Sequence, residues 1–459
     1  MDYSTLDFKP ELNTSSFVNV VQEPEEAAIS LAGLHINLAD QTVYPGSYSL
    51  HNAVVNLTAQ LWNCPAPSDG RADYAGAVTV GSTEACLLAG LAFKFRWRAW
   101  NAAKKGITDP NEARRAIPNL VISTTFQAAW EKLFKYMDIE PRFVIPDVAS
   151  FRASPEAVTA AIDENTCGVV AILGNHYQGG YDDVQAISAA VKKANDDKGL
   201  DIGIHVDAAS GGFVAPFQPE MADQSWDFRN QEVLSISGSG HKFGESIVGT
   251  GLIVWRDRKD LAEHVAISVS YLGGVGESYT LNFSRPASGP MVMLYKYLRL
   301  GRSGYEAKVS NQMHVAKFLR DGLLAMTSSG KPRFIICDDG DQGCLPVVAG
   351  YLNPALDVAY DDIDLQHQVS ERHWYVSAYP LSFHDPVTAE VRPLFSDASV
   401  DRTMFRIVVK SNLTMPLARD LLSSVEEAVE FLDKVNDGYL KVHNEKLGKG
   451  EQGRSGHVC

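Results

Sequence analysis

Cysteine is scarce and scattered. Six residues in a chain of 459 (Cys64, Cys86, Cys167, Cys337, Cys344 and Cys459), none in C-x-x-C spacing, build neither a disulfide framework nor a zinc site, and they fit reduced thiols in a cytosol. Basic residues are in deficit too. Forty-one Lys and Arg face 56 Asp and Glu, so a net charge of -15 repels phosphate backbones and anionic membranes, and nucleic acid is not expected as a partner. No apolar run reaches the length of a membrane span. The first twenty residues carry acids where a signal peptide needs bases, and they lack its apolar centre. Repeats and low-complexity segments are missing as well. The expectation is a cytoplasmic protein without a membrane segment, and the ordinary shares of apolar (45%) and charged (21%) residues leave enough for a large folded core.

What is present is alternation. From about residue 75, AVTV, NLVIS, FVIP, CGVVAIL and IGIHVD are each separated by helical-length segments, the pattern of βαβ units and a mostly parallel sheet. Ser154 followed by Pro155 and Glu156 predicts a helix start. Two further apolar runs, VLSISGSG and GTGLIVWRD, precede a long helical pattern from Gly304 to Met326. Beyond SSGKP at 328–332, RFIIC, LPVVAGYL and MFRIVVK read as antiparallel strands with helices near 363–373 and 416–436. The expected organisation is an arm (1–45) lying on a partner subunit, a large domain (46–328), a small α+β domain (329–440) and a frayed tail (441–459).

Three segments carry chemistry. In SISGSGHKFG a lysine, Lys242, follows a strand and a turn of Ser and Gly. Such a lysine loses hydration, is more easily deprotonated and can form a Schiff base with an aldehyde; a plain surface loop has the same composition. In HVDAASGGF, Asp207 ends a β-run, where open α/β sheets bind ligands. A carboxylate there can keep a pyridine nitrogen protonated, making pyridoxal phosphate an electron sink, or can cap a helix. In GSTEA, Ser82 and Thr83 stand at a strand-to-helix junction suited to a phosphate, or to N-capping. Jointly the three point to pyridoxal 5'-phosphate as cofactor. In MFRIVVK, Arg406 is a lone cation among apolar residues, costly unless it meets an anion. Its planar fork suits a carboxylate; an internal salt bridge is the alternative.

With HVDAASGGF, SGHKFG, YLGG, NFSRPA, LW with PAP at 61–67, and GSTEACLLAG in view, the sequence resembles the glutamate decarboxylases, group II pyridoxal-phosphate-dependent amino-acid decarboxylases, from about Ser15 to Val435. The resemblance implies the aspartate-aminotransferase type of fold and a homodimer or higher assembly with sites at the subunit interface. It makes Lys242 the Schiff-base lysine, Asp207 the partner of the pyridine nitrogen, and His241 and Ser239 cofactor contacts. Ser82 and Thr83 would hold phosphate, Gln127 would lie over the ring, and Ser284 would reach the phosphate of the neighbouring subunit. Gln127 also fits a helix N-terminus and Ser284 an ordinary turn.

The same resemblance gives Arg406 the substrate α-carboxylate, and Ser16, Phe17, Asn37 and Asp40 the distal carboxylate. Tyr271, in the glycine-flanked YLGGVGES, becomes the proton donor to the α-carbon, or a tyrosine that packs a loop. His176 stands where the family has a threonine near the cofactor's phenolic oxygen; it donates to that oxygen or acts as an acid or base. The N-terminus is shorter than in bacterial members. The expected reaction is decarboxylation of L-glutamate to 4-aminobutyrate. Rivals are another acidic amino acid, decarboxylation coupled to oxidation or carbon bond formation, and a non-catalytic protein on the same fold.

Overall fold

The computed structural model describes residues 9–261, 265, 267–269, 276–340, 343–356, 358–396 and 402–435. Tyr271, Cys459 and the expected tail therefore lie outside the described residues. Seven strands form the central sheet: β1 (Gly76–Val80), β2 (Asn119–Ser123), β3 (Glu140–Val144), β4 (Thr166–Ile172), β5 (Gly203–Ala208), β6 (Val233–Ser239) and β7 (Thr250–Trp255). Their order is β1-β7-β6-β5-β4-β2-β3, and β7 alone among them runs against its neighbours. Strands β2, β4, β5, β6 and β7 are buried along their whole length, as expected of a sheet covered on both faces. Edge strand β3 starts earlier than FVIP indicates, because its exposed residues alternate with partly buried ones.

The helices are α1 (Pro24–Gly33), α2 (Pro45–Leu61), α3 (Gly81–Lys105), α4 (Pro110–Arg115), α5 (Ala128–Tyr136), α6 (Pro155–Ala161), α7 (Val184–Lys198), α8 (Ser288–Ala325), α9 (Asp362–Ser370) and α10 (Met415–Val435). Ser154 caps α6 as expected, its side chain accepting from the Ala157 amide. Helix α8 begins well before Gly304; a non-helical Gly301 (φ 57°, ψ -172°) kinks it, and that break is why only its second half reads as a helix.

Residues 334–432 build their own core around a four-stranded antiparallel sheet of Phe334–Ile336, Val347–Leu352, Thr403–Val408 and Ser377–Pro380, with α9, α10 and the end of α8 packed on it. The arm docks on its own chain. Helix α1 lies against the start of α8, where Ser288 Oγ donates to the Ser30 carbonyl at 2.7 Å and a Cβ on Gly33 would sit 2.5 Å from the Ser288 backbone. Among the described residues no helix is long and apolar enough to cross a membrane.

Candidate active site

Because β1, β4, β5 and β6 run the same way, their carboxyl ends open on one side of the sheet, where such folds bind ligands. Asp207 sits near the end of β5, 6% exposed. Its Oδ2 accepts from Trp130 Nε1 of α5 at 2.7 Å and its Oδ1 from the Ala209 amide at 3.1 Å. The helix-cap alternative does not describe it, since the carboxylate is fixed by a buried indole. Beneath it His205 is fully buried between Ser235 Oγ (2.8 Å) and Ser237 Oγ (3.0 Å) and meets the Trp130 ring edge-on. Burial holds that imidazole neutral, its pKa pushed down to about 3.

Strand β6 ends in the turn that bears Lys242. The lysine is partly exposed; its Nζ donates to Ser210 Oγ at 3.1 Å and stands 5.4 Å from the centre of the Phe17 ring. Next to it, His241 is held by its Nδ1 on the Thr250 carbonyl (2.7 Å), and burial together with the neighbouring Lys242 charge lowers its pKa to about 4. Ser239 is wholly buried, yet among the described residues its Oγ has no hydrogen-bond partner, a state that buried hydroxyls rarely keep without a ligand or water.

On the other side of β7, helix α3 starts at Gly81, and its N-cap makes no side-chain hydrogen bond. Ser82 and Thr83 lie in its first turn rather than capping it, so amides of that turn remain for an anion. Gly81 takes φ +73°, and a Cβ on the facing Gly251 would come within 2.3 Å of the Gly81 carbonyl; the backbone conformation calls for glycine at 81 and the close approach for glycine at 251. Thr79 and Ser239 both pair with Gly251, so the two loops are two strand spacings apart, about 10 Å. Gln127 is the N-cap of α5, accepting from the Ala129 amide at 2.9 Å.

The wall opposite the sheet is Arg406, 1% exposed. Its Nη2 donates to the Ser15 carbonyl at 2.6 Å and to Ser377 Oγ at 3.3 Å, and its Nη1 to the His176 carbonyl. Phe17 and Tyr379 cover it, their ring centres 4.5 and 5.7 Å away. No carboxylate among the described residues pairs with it, and Nε is left without a partner. The internal salt bridge considered above is therefore absent there, and desolvation pulls the guanidinium pKa down. His176 contributes its backbone to Arg406 and lays its ring on Tyr177, centres 4.1 Å apart.

The expected arm residues fall into two groups. Phe17 belongs to the wall just described, shared between Lys242 and Arg406, and Ser16 lies next to it in the chain, its Oγ accepting from the Val18 amide at 3.2 Å. Asn37, Asp40 and Ser284 bond to one another: Asn37 Nδ2 donates to Asp40 Oδ2 at 3.2 Å and to the exposed Ser284 at 3.4 Å. Trp130, Ser15 and Tyr379 are site neighbours that no motif announces, and Ser210 lies within HVDAASGGF but carries no role in the sequence reading. A cavity of about 650 Å³ elsewhere, between α8 and residues 215–229, contains none of the residues expected in the site.

The orphaned Ser239 hydroxyl, the open first turn of α3, the fixed Asp207 carboxylate and the lysine between them fit a phosphate-bearing aromatic aldehyde. Fold and site together define a pyridoxal-phosphate enzyme of the aspartate-aminotransferase type. Comparison with known proteins narrows the class. Residues 27–348 match the pyridoxal-dependent decarboxylase conserved domain, and the chain belongs to that family. It is 36% identical to the glutamate decarboxylase of Lactococcus lactis subsp. lactis over 95% of this chain and 86% of that one. A solved glutamate decarboxylase of Lactobacillus brevis superposes with a TM-score of 0.82 at 33% identity, over 93% of this chain and 90% of that one. A Burkholderia pseudomallei sphingosine-1-phosphate lyase, at 22% identity and TM-score 0.70 over 91% of this chain and 85% of that one, shares the fold.

Proposed function

We propose that the chain decarboxylates L-glutamate to 4-aminobutyrate and carbon dioxide with pyridoxal phosphate attached at Lys242. The observation that carries this reading is Arg406, a buried cation with no counter-ion among the described residues, facing the same Phe17 ring as Lys242. An anionic substrate supplies the missing charge, and the relatives named above are glutamate decarboxylases.

When bound, the cofactor supplies an aldehyde that captures an amine and a ring that accepts the electron pair of a breaking bond. Asp207, fixed by Trp130, keeps the proton on the ring nitrogen. Ser82, Thr83 and Ser239 hold the phosphate, with Ser284 reaching it from a neighbouring copy, and His241 and Gln127 flank the ring. Arg406 grips the α-carboxylate and orients it, and orientation decides which bond to the α-carbon breaks. Phe17, Tyr177 and Tyr379 exclude water, which strengthens the field of the guanidinium. His176 donates to the phenolic oxygen, and Tyr271 returns the proton to the α-carbon.

Ser16 and Phe17 serve the distal carboxylate from the same chain, and Asn37 with its partner Asp40 from a second one. A homodimer is supported by apolar side chains left in solvent around Ser284 and α3: Val80, Val248, Leu281 and Phe283, with Leu31 on α1 and Leu34 just past its end. Sedimentation of the cofactor-loaded protein is expected at twice the chain mass or more; a monomer at micromolar concentration refutes the shared site. The acidic, reduced-thiol composition supports a cytoplasmic location.

Incubation of the loaded protein with L-glutamate should release carbon dioxide and 4-aminobutyrate in equal amounts. An enzyme that binds cofactor at Lys242 but leaves glutamate untouched while consuming another amino acid overturns the substrate assignment.

A further inference from the structure

The turn that carries Lys242 contains a backbone outlier for which the chemistry above has no use. Glu245 takes φ +63°, a left-handed conformation uncommon for a long side chain, and it is buried at 5% exposure. Such a conformation persists only where its surroundings over-determine it, and outliers of this kind gather at functional positions.

The surroundings here are of two sorts. The first is a set of hydrogen bonds to the turn's carbonyls. Ser246 N donates to Gly240 O at 2.8 Å, Glu245 N to Lys242 O at 3.1 Å, and the Tyr305 hydroxyl to Gly244 O at 2.9 Å. Asn19 adds two more, its amide to His241 O at 2.8 Å and its Nδ2 to Glu245 O at 2.9 Å. The N-terminal segment thus holds the residues on either side of the lysine.

The second is a row of charges. Lys308 Nζ donates to Glu245 Oε2, Lys296 Nζ stands 3.9 Å from the same oxygen, and Lys296 also pairs with Glu26 of α1. Side-chain exposure along the row is 0% for Glu26, 4% for Lys296, 6% for Glu245 and 33% for Lys308, so three of four charges are out of water. Two carboxylates and two ammonium groups leave the row neutral. In a low dielectric it is stiff, because moving any member leaves a buried charge unmatched.

We propose that Glu245 is a positioning residue for Lys242, and that the row Glu26, Lys296, Glu245, Lys308 makes α1 part of the device that fixes the lysine's turn. The inference rests on Lys242 being the lysine that takes the cofactor. The carboxylate of Glu245, clamped from α8, keeps its own backbone left-handed. That conformation closes the turn over the Lys242 carbonyl and leaves the side chain aimed at the space between Ser210 and Phe17.

Capture of pyridoxal phosphate by cofactor-stripped protein tests it, followed by visible absorbance and by peptide mapping after borohydride reduction. Glu245→Gln should slow capture at least tenfold and lower kcat at least tenfold with KM within twofold. Glu26→Gln, which meets the turn through Lys296, should slow it in the same direction by a smaller factor. Lys296→Met should slow capture, and Lys296→Arg, which keeps the charge, should stay near the wild-type rate. Folded Glu245→Gln and Glu26→Gln proteins that capture at the wild-type rate overturn the proposal. If Glu245→Gln does not fold, Lys308→Gln at the exposed end carries the test: several-fold slowing supports the role, and an unchanged rate refutes it. Capture that survives Lys242→Ala would instead sink the reading of Lys242 itself, a different failure from unchanged capture in the Glu245 variant.

Discussion

Two buried cations in this chain meet the cost of burial in opposite ways. Lys296, 3% exposed, lies between two carboxylates, Glu26 and Glu245. Arg406, 1% exposed, has carbonyls, a hydroxyl and aromatic faces, but no carboxylate among the described residues. Taking a charge out of water costs several kcal/mol unless it is paired. A fold that pairs one cation and leaves the other bare gives them different work: the paired one ties α1 to α8 and to the turn of Lys242, and the bare one is the cation that the proposed function gives to the substrate carboxylate. The expectation that Arg406 binds a carboxylate and the row around Lys296 are therefore one argument seen from two sides.

Replacing each cation by methionine breaks the comparison most directly, and the larger effect belongs to Arg406. Arg406→Met should lower kcat/KM for glutamate by about 10²–10⁴, the equivalent of roughly 3–5 kcal/mol for a lost charged pair. Its stability should stay within about 1 kcal/mol of wild type, since removal of a lone buried cation offsets the three acceptors left unpartnered. Steady-state kinetics and denaturant unfolding read the two quantities. A variant that unfolds easily but keeps its turnover would reverse the assignment.

Lys296→Met should do the opposite to stability. It strands Glu26 in the interior, and breaking a buried pair in this way costs about 3–5 kcal/mol. Glu26→Gln combined with Lys296→Met should recover most of that loss, because no unmatched charge remains between α1 and α8. If the double variant is as unstable as the single one, the loss comes from packing and the contrast with Arg406 fails.

The contrast also explains what could be read from the sequence. Lys242, Asp207 and Ser82 each end a buried apolar run at the carboxyl side of the sheet, so strand periodicity and a change to small or polar residues locate them. Arg406 is legible because a cation inside MFRIVVK has no local excuse. Trp130 is not, since an aromatic one turn into an amphipathic helix looks like core, and its indole finds Asp207 only when α5 packs over β5. The row from Glu26 to Lys308 joins three elements far apart in the chain, and charges whose pairing is entirely tertiary leave no periodic signal. The first half of α8 escaped for a local reason: Pro290, Gly301 and Gly304 interrupt the pattern of a helix held by packing.

The smallest effect concerns groups that titrate, and it divides the molecule along the same two sheets. Around the seven-stranded sheet, His51 and His205 are buried neutral, with pKa values pushed down to about 4 and about 3 by desolvation. Their contribution is present above pH 6.5 and is lost as pH falls, because the unfolded chain takes up protons that the folded one refuses. Beside the four-stranded sheet, Asp362 has the opposite sign. Burial pushes its carboxyl up to about 7, against accepted bonds from the Leu352 amide and the Thr403 hydroxyl. Below about pH 7 it stays protonated in the folded chain while the unfolded one ionises, so its contribution is present below pH 4 and is lost as pH rises to 7. Asp362→Asn removes that loss; its Oδ1 still accepts from the Leu352 amide, and its Nδ2 donates to the Thr403 hydroxyl, which turns to accept. The stability of the variant relative to wild type should climb with pH by roughly 1 kcal/mol per unit between about 4 and 7, then level off. Unfolding midpoints at pH 5 and pH 7.5 measure the climb, and a flat difference would mean that Asp362 is already ionised in the folded protein.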